Sequence, residues 1–220
     1  MHKRTVLILF SFIIVAPLFS QEKKKTTAFM TLEYLSPAES VRFKSENLIN
    51  FSFGLGIGLN LKTHFSESSA LLYGLELAST RTNLILDGVG VYASFSHFKF
   101  PVYYHYSLPL DRKKKHLLNL FLGTKIMIQQ GGEISGSGSK FGGTKYSVNN
   151  IGGVFPFLTF GFGYDLNFKN NYFVGFEAGY TMGFINTIDA EYIDNKNHLN
   201  FSSKRSHFNV KVLFPINPKN

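Results

Sequence analysis

Large apolar residues alternate with small or polar residues along Leu48–Lys62. The odd positions are Ile49, Phe51, Phe53, Leu55, Ile57, Leu59 and Leu61, and the even positions from residue 50 hold Asn, Ser, Gly or Lys. A period of two predicts an extended strand with two unlike faces. In a water-soluble barrel Gly54, Gly56 and Gly58 would form the wet face, where charged residues are usual. The glycines fit better inside a narrow closed barrel whose apolar face contacts lipid.

The same alternation recurs in seven other segments. The eight predicted strands are Thr27–Leu35, Leu48–Lys62, Ala70–Thr82, Val91–Leu108, Leu117–Gln130, Ile151–Phe168, Tyr172–Thr187 and Lys204–Phe214. We expect Pro37 to end the first strand, and Pro215 and Pro218 the last, because proline cannot donate to a ladder. The predicted fold class is all-β, an eight-stranded antiparallel transmembrane β-barrel, and eight is an even number as in bacterial single-chain barrels.

The predicted connections differ in length, and this predicts an orientation. The longer ones are Pro37–Asn47, Asn83–Gly90, Gly131–Asn150 and Ile188–Ser203, although the second is about as short as the turns that precede and follow it. If the chain starts in the periplasm, the long loops lie outside the cell and the short turns inside. The expected aromatic girdles consist of Tyr34, Tyr73, Tyr104, Tyr106, Tyr164 and Tyr172.

The first twenty residues have the features of an export signal. A basic segment, His2–Arg4, precedes the apolar run Val6–Val15, which is too short to favour a membrane-spanning helix. We therefore predict a signal peptide over residues 1–20, a single barrel domain over residues 21–220 and an outer-membrane location. The 220 residues include no Cys, which excludes disulfides and Cys-ligated zinc.

The formal charge of +9 does not indicate nucleic acid. The basic residues are scattered over turns and loops of an exported chain, so contact with anionic outer-membrane lipid is the expected use of this charge.

Charged residues of both signs fall on the predicted inward faces. They are Glu33, Glu76, Lys99, Lys125, Asp165, Glu177 and Lys211. An eight-stranded barrel is just wide enough to be filled by side chains, and buried charges must be paired. The hypothesis is an interior ion-pair network that plugs the lumen, and the alternative is a gated path for protons or solutes.

No cofactor or metal site is predicted. His97 and His105 share the inward face but are eight residues apart on one strand, too far to bind one metal ion. The glycine-rich segment Gly136–Lys145 lacks the residue order and the following helix of a phosphate loop.

No catalytic site is predicted either. Ser206 and His207 are neighbours, but adjacent strand residues face opposite ways. Ser203 or Ser96 acting with His97 or His207 remains an open alternative, and it would make the chain a lipid-modifying barrel enzyme.

Three segments carry a resemblance to a known family. Phe98–Tyr106, Leu120–Lys125 and Phe208–Phe214 resemble the outer-membrane β-barrel domain family that includes PorT-like proteins. The resemblance implies an outer-membrane location and a terminal strand read by the barrel-assembly machinery. It also implies a link to protein secretion, in which some relatives are implicated, and it brings no catalytic residues.

The leading functional expectation is a non-enzymatic outer-membrane protein. It would act through its extracellular loops as an interaction or accessory component, with a secretion-system or surface protein as its partner. The alternative is a narrow channel for small solutes. A lipid-modifying enzyme ranks third.

Overall fold

The computed structural model describes residues 25–42, 48–86, 89–137, 146–147, 152–167, 173–194 and 197–216. Its strands are β1 Lys25–Arg42, β2 Leu48–His64, β3 Ser69–Leu86, β4 Val89–Pro109, β5 His116–Ser137, β6 Tyr146–Ser147, β7 Gly152–Asn167, β8 Phe173–Asp194 and β9 Asn197–Pro215. No helix long and apolar enough to cross a membrane occurs in these ranges. The predicted signal peptide lies outside the described residues.

The eight long strands close into an antiparallel barrel. Neighbours pair in the order β8, β7, β5, β4, β3, β2, β1 and β9, and β9 pairs again with β8. The two-residue β6 pairs with β8, where Tyr146 lies opposite Tyr192. The predicted eight-stranded antiparallel barrel is confirmed.

The alternating apolar and polar residues of each strand face opposite sides of the barrel wall. On β2, Leu55, Ile57 and Leu59 are exposed to the outside, whereas Asn60 and Lys62 are buried in the interior. Apolar side chains cover the outside of every long strand, including Met30, Leu32, Leu75, Leu77, Phe100, Leu120, Leu122, Phe160, Phe162, Phe176, Phe208 and Val210. These side chains form an apolar belt that fits a hydrocarbon environment.

Strands extend into all four predicted loops. β1 continues to Arg42, β3 to Leu86, β5 to Ser137 and β8 to Asp194, while β9 begins at Asn197. The prediction that Pro37 ends β1 is wrong, because the strand continues to Arg42. Beyond Leu35, β1 pairs with β9 but no longer with β2, so one side of Pro37 is an edge. An edge position tolerates the missing proline N–H. These segments lack apolar alternation, but main-chain pairing does not require it.

The barrel has two unlike ends. The turn end carries the starts of β1 and β3 and the turns Phe65–Ser68 and Leu110–Lys115, and the hairpin end is the opposite one. The Leu110–Lys115 turn is well fixed, because the Leu110 N–H donates to the His116 carbonyl oxygen at 2.8 Å and Lys114 adopts a φ of 50°. The His116 N–H donates to Asp111 Oδ1 at 2.9 Å, and this bond holds the pKa of the Asp111 carboxyl below its usual value.

Tyrosines mark the border of the belt near the turn end. The Tyr104 hydroxyl is 2.9 Å from Ser69 Oγ, and Tyr164 is hydrogen-bonded to His116. Tyr73 and Tyr106 lie at comparable positions. Tyr34 is exposed on the outside of the barrel, just past the middle of β1 toward the hairpin end. The predicted girdle residue Tyr172 lies outside the described residues.

Candidate functional site in the barrel interior

Strand register brings five of the predicted interior residues to one level of the lumen. Glu33 of β1 lies opposite Lys211 of β9, and Glu76 of β3 lies opposite Lys99 of β4. Lys125 approaches them from β5, a strand that pairs with β4 and β7 and is not adjacent to β1. We call these five side chains the central charge cluster.

Each carboxylate of the central charge cluster contacts more than one ammonium group. Lys99 Nζ donates to Glu33 Oε2 and lies 3.7 Å from Glu76 Oε2. Lys125 Nζ lies 3.4 Å from Glu33 Oε1. Lys211 Nζ donates to Glu76 Oε1 and lies 3.8 Å from Glu33 Oε1. All five side chains are at most 2% exposed, so their charges depend on one another rather than on water.

The central charge cluster contains three lysines and two carboxylates. Part of the excess positive charge faces an aromatic ring, because Lys211 Nζ lies 5.3 Å from the centre of the Tyr103 ring. A ring face attracts a cation through its quadrupole. The loss of a carboxylate would therefore be more disruptive than the loss of a lysine.

The structure places Asp165 closer to the turn end, whereas Glu177 of β8 lies opposite Lys211 of β9 and so borders the central charge cluster. Asp165 Oδ2 accepts a hydrogen bond from Lys62 Nζ at 3.0 Å, and both side chains are buried. Glu177 Oε1 lies 3.7 Å from His105 Nε2. Lys62 was not among the predicted network residues. It occupies an even position on β2, as Asn60 does, and even positions of this strand face the interior.

Apolar side chains fill the interior beside the charged groups. Phe29, Leu72, Tyr103, Phe121 and Leu213 form one buried cluster toward the turn end, and Met127, Phe155 and Phe157 form another toward the hairpin end. The His105 ring stacks on Phe121 with 5.4 Å between ring centres. These apolar layers were not predicted, because only the polar residues of the inward faces were expected to fill the lumen.

Arg205 is a buried interior residue that was not among the predicted interior residues. Its guanidinium carbon lies 4.9 Å from the centre of the Phe95 ring. Its Nη1 donates to Thr80 Oγ1 at 3.3 Å. The inward parity of β9, shared with His207, Asn209 and Lys211, would have identified it.

The inward glycines of β2 make room for the charged side chains. A Cβ atom at Gly56 would lie 3.2 Å from Glu33 Oε2. A Cβ atom at Gly58 would lie 2.6 Å from Glu76 Cγ and 2.9 Å from Thr31 Oγ1. Glycine at these positions allows both carboxylates to turn into the lumen.

The alternative catalytic pairs gain no support where the structure describes them. Ser96 is exposed on the outside of β4, whereas His97 and His207 are buried on the inside, so Ser96 cannot act with either histidine. The side chain of Ser203 lies outside the described part of the chain. Within that part, no group of three His, Asp or Glu side chains could hold a metal ion.

Comparison with known proteins identifies the fold. A family model described as outer membrane protein beta-barrel domain matches residues 22–189. The outer membrane protein OprG from Pseudomonas aeruginosa is similar in structure, with a TM-score of 0.56, 11% identity, and coverage of 87% of this chain and 95% of that chain.

Two other solved chains are less similar in structure. The attachment invasion locus protein Ail of Yersinia pestis, in complex with a heparin analogue, has a TM-score of 0.38, 12% identity, and coverage of 84% of this chain and 99% of that chain. The translocator domain of the autotransporter NalP from Neisseria meningitidis has a TM-score of 0.42, 7% identity, and coverage of 94% and 95%. A search of curated proteins found no match.

Proposed function

We propose, for a chain that belongs to the outer membrane protein beta-barrel domain family, a role as a sealed membrane anchor whose hairpin end binds a macromolecular partner outside the cell. The protein is located in the outer membrane. Short turns of such barrels face the periplasm, so the turn end is the periplasmic end in this proposal and the hairpin end faces outward.

The observation that carries the proposal is that side chains meet across the lumen. Lys62 of β2 contacts Asp165 of β7, and Lys125 of β5 contacts Glu33 of β1. These strands are not neighbours in the wall, so the contacts span the interior. A lumen crossed by buried ion pairs and packed apolar side chains favours a plug over a solute path.

The strands that extend toward the hairpin end support a binding role. β8 and β9 continue as a paired hairpin to Asp194 and Asn197, and β6 adds Tyr146 and Ser147 to its side. On the other side of β9, β1 stays paired with it as far as Arg42. Paired strands give a surface that is better ordered than an isolated loop, which lowers the entropic cost of binding.

We assign the protein a non-enzymatic, accessory role, with protein secretion as the process in which we expect its partner to act. This finer assignment rests on the resemblance of Phe98–Tyr106 and Phe208–Phe214 to PorT-like proteins. We also expect the barrel-assembly machinery to read Phe208–Phe214 during insertion, because these residues lie in the closing strand β9.

In-cell photocrosslinking tests the proposal. A photoreactive amino acid is placed in the hairpin-end segments Gly131–Asn150 and Ile188–Ser203 of the full-length protein, and outer-membrane fractions are analysed for crosslinked species. The matched control places the same amino acid at Ser66, which is exposed at the turn end. We expect a reproducible protein adduct from the hairpin end and not from Ser66. The absence of any adduct from the hairpin end, with the protein in the outer membrane, would contradict the proposal.

A further inference from the structure

A groove of about 460 Å³ interrupts the apolar outer surface of β2, β3 and β4. Leu55, Ile57, Leu77 and Phe98 flank it, and Ser79 and Ser96 contribute to its lining. The two serines lie opposite each other on β3 and β4. The groove therefore exists because two short side chains occupy one level of a belt that is otherwise built of large ones.

Polar outward-facing residues continue from the groove toward the hairpin end. The next outward positions on the same two strands are Arg81 and Ser94, which again lie opposite each other and are exposed. The outward residues of β3 on the other side of Ser79 are Leu75 and Leu77. Arg81 thus stands at the border of the apolar belt, about 7 Å from Ser79 along the strand.

This arrangement suits an amphipathic molecule with an anionic head. A serine hydroxyl facing hydrocarbon has no water to bond, so a neighbouring molecule with ester, amide or hydroxyl groups relieves its cost. Arginine binds phosphate through its planar fork. The apolar flanks of Leu55, Ile57, Leu77 and Phe98 fit an acyl chain below these polar groups.

We infer that the groove holds an acyl chain of lipid A, the phosphorylated glycolipid of the outer leaflet, with its phosphate at Arg81. The choice of leaflet rests on the orientation proposed above, in which the hairpin end faces outward. The charge of the phosphate matches Arg81, and the sugar and acyl linkages bring several polar groups to the level of Ser79, Ser94 and Ser96.

Lipid A retained by the purified barrel tests the inference. The full-length protein is extracted from outer membranes in native lipid discs, and lipid A and phospholipid per barrel are measured by mass spectrometry. Arg81→Glu should lower the lipid A content by at least about fivefold, the factor expected from the loss of one basic residue near an anionic lipid. Ser96→Leu fills the groove and should cause a similar loss, whereas Arg81→Lys should retain most of the lipid.

The matched control is Thr124→Leu, because Thr124 is a small polar residue on the outside of β5, away from the groove. Its lipid A content should equal that of the wild type. A heat-sensitive gel shift confirms that each variant is folded. Equal lipid A in all variants would overturn the inference, as would loss of phospholipid alone or a change in oligomeric state without lipid loss. These outcomes are independent of protein crosslinking, so they test the groove separately from the proposed function.

Discussion

Gly58 of β2 lies directly opposite Glu76 of β3, and a Cβ atom at Gly58 would lie 2.6 Å from Glu76 Cγ. We predict that Gly58→Val displaces Glu76 from Lys211 and lowers the free energy of unfolding by about 1–3 kcal/mol, the usual cost of overpacking a filled interior. Urea unfolding of the reconstituted barrel, followed by the gel shift between folded and unfolded protein, measures the change.

Gly56→Ala is the control for this substitution. A Cβ atom at Gly56 would lie 3.2 Å from both Glu33 Oε2 and the Leu77 carbonyl oxygen, contacts that need a shift of only a few tenths of an ångström. Its effect should be the smaller of the two. Equal stability of Gly58→Val and the wild type would show that the interior is not tightly filled at this level.

Reversal of the charge at Glu76 should destabilise the barrel strongly. Glu76→Lys removes the partner of Lys211 and places another ammonium group near Lys99. The expected loss is about 3–5 kcal/mol or more, as for other buried pairs that lose one member. Equilibrium unfolding in lipid vesicles checks the loss, with the outward substitution Leu77→Ala on the same strand as control. Unchanged stability would contradict the ion-pair plug.

The Lys62–Asp165 pair can be tested by exchanging its two charges. Asp165→Lys alone should destabilise the barrel because it faces Lys62 across the lumen at the turn end. The double variant Lys62→Asp with Asp165→Lys should recover a large part of the loss, since the pair is restored with reversed polarity. A double-mutant cycle from unfolding curves gives the coupling energy. Additive effects of the two substitutions would show that the contact is not energetically coupled.

The Leu110–Lys115 turn should respond to acid through Asp111. The hydrogen bond from the His116 N–H lowers the pKa of Asp111 in the folded protein, so its contribution is present above the unfolded pKa of about 3.9 and is lost as the pH falls through the lower folded value. Protection of the His116 amide, taken relative to the intrinsic exchange rate at each pH, should therefore remain high at about pH 5 and fall well below pH 3.9.

Asp111→Asn keeps an oxygen acceptor without a titrating carboxyl, so it should remove this pH response while retaining some protection. Asp111→Ala should expose the amide at every pH. A wild-type exchange profile identical to that of Asp111→Ala would rule out the proposed role of the carboxylate.

Alternation predicted the barrel and the facing of its residues because burial on one side and lipid on the other impose a period of two. Leu55, Ile57 and Leu59 point outward as predicted, and Glu33 and Glu76 point inward. The strand ends at the hairpin end were not predicted. Segments such as Ile188–Asp194 are paired beyond the apolar belt, where no lipid contact imposes a pattern on their side chains.

The residues of the interior were easier to predict than their partners. Parity places Asp165 inside the barrel, but its contact with Lys62 depends on the inclination of the strands and on the curvature of the wall. Neither property can be derived from a hydrophobic pattern. The interior aromatic residues Phe29 and Phe157 were overlooked for a different reason. They are apolar residues at inward-facing positions, where a polar lining was expected.

The conductance of the wild-type barrel in a planar lipid bilayer tests the central claim most directly. If buried ion pairs and apolar layers seal the lumen, the full-length protein should insert without stable current steps at neutral pH. Glu76→Lys, which breaks the central charge cluster, should raise the frequency of transient openings. Steady, uniform single-channel currents from the wild-type protein would contradict the sealed anchor and would assign the protein to the narrow channels.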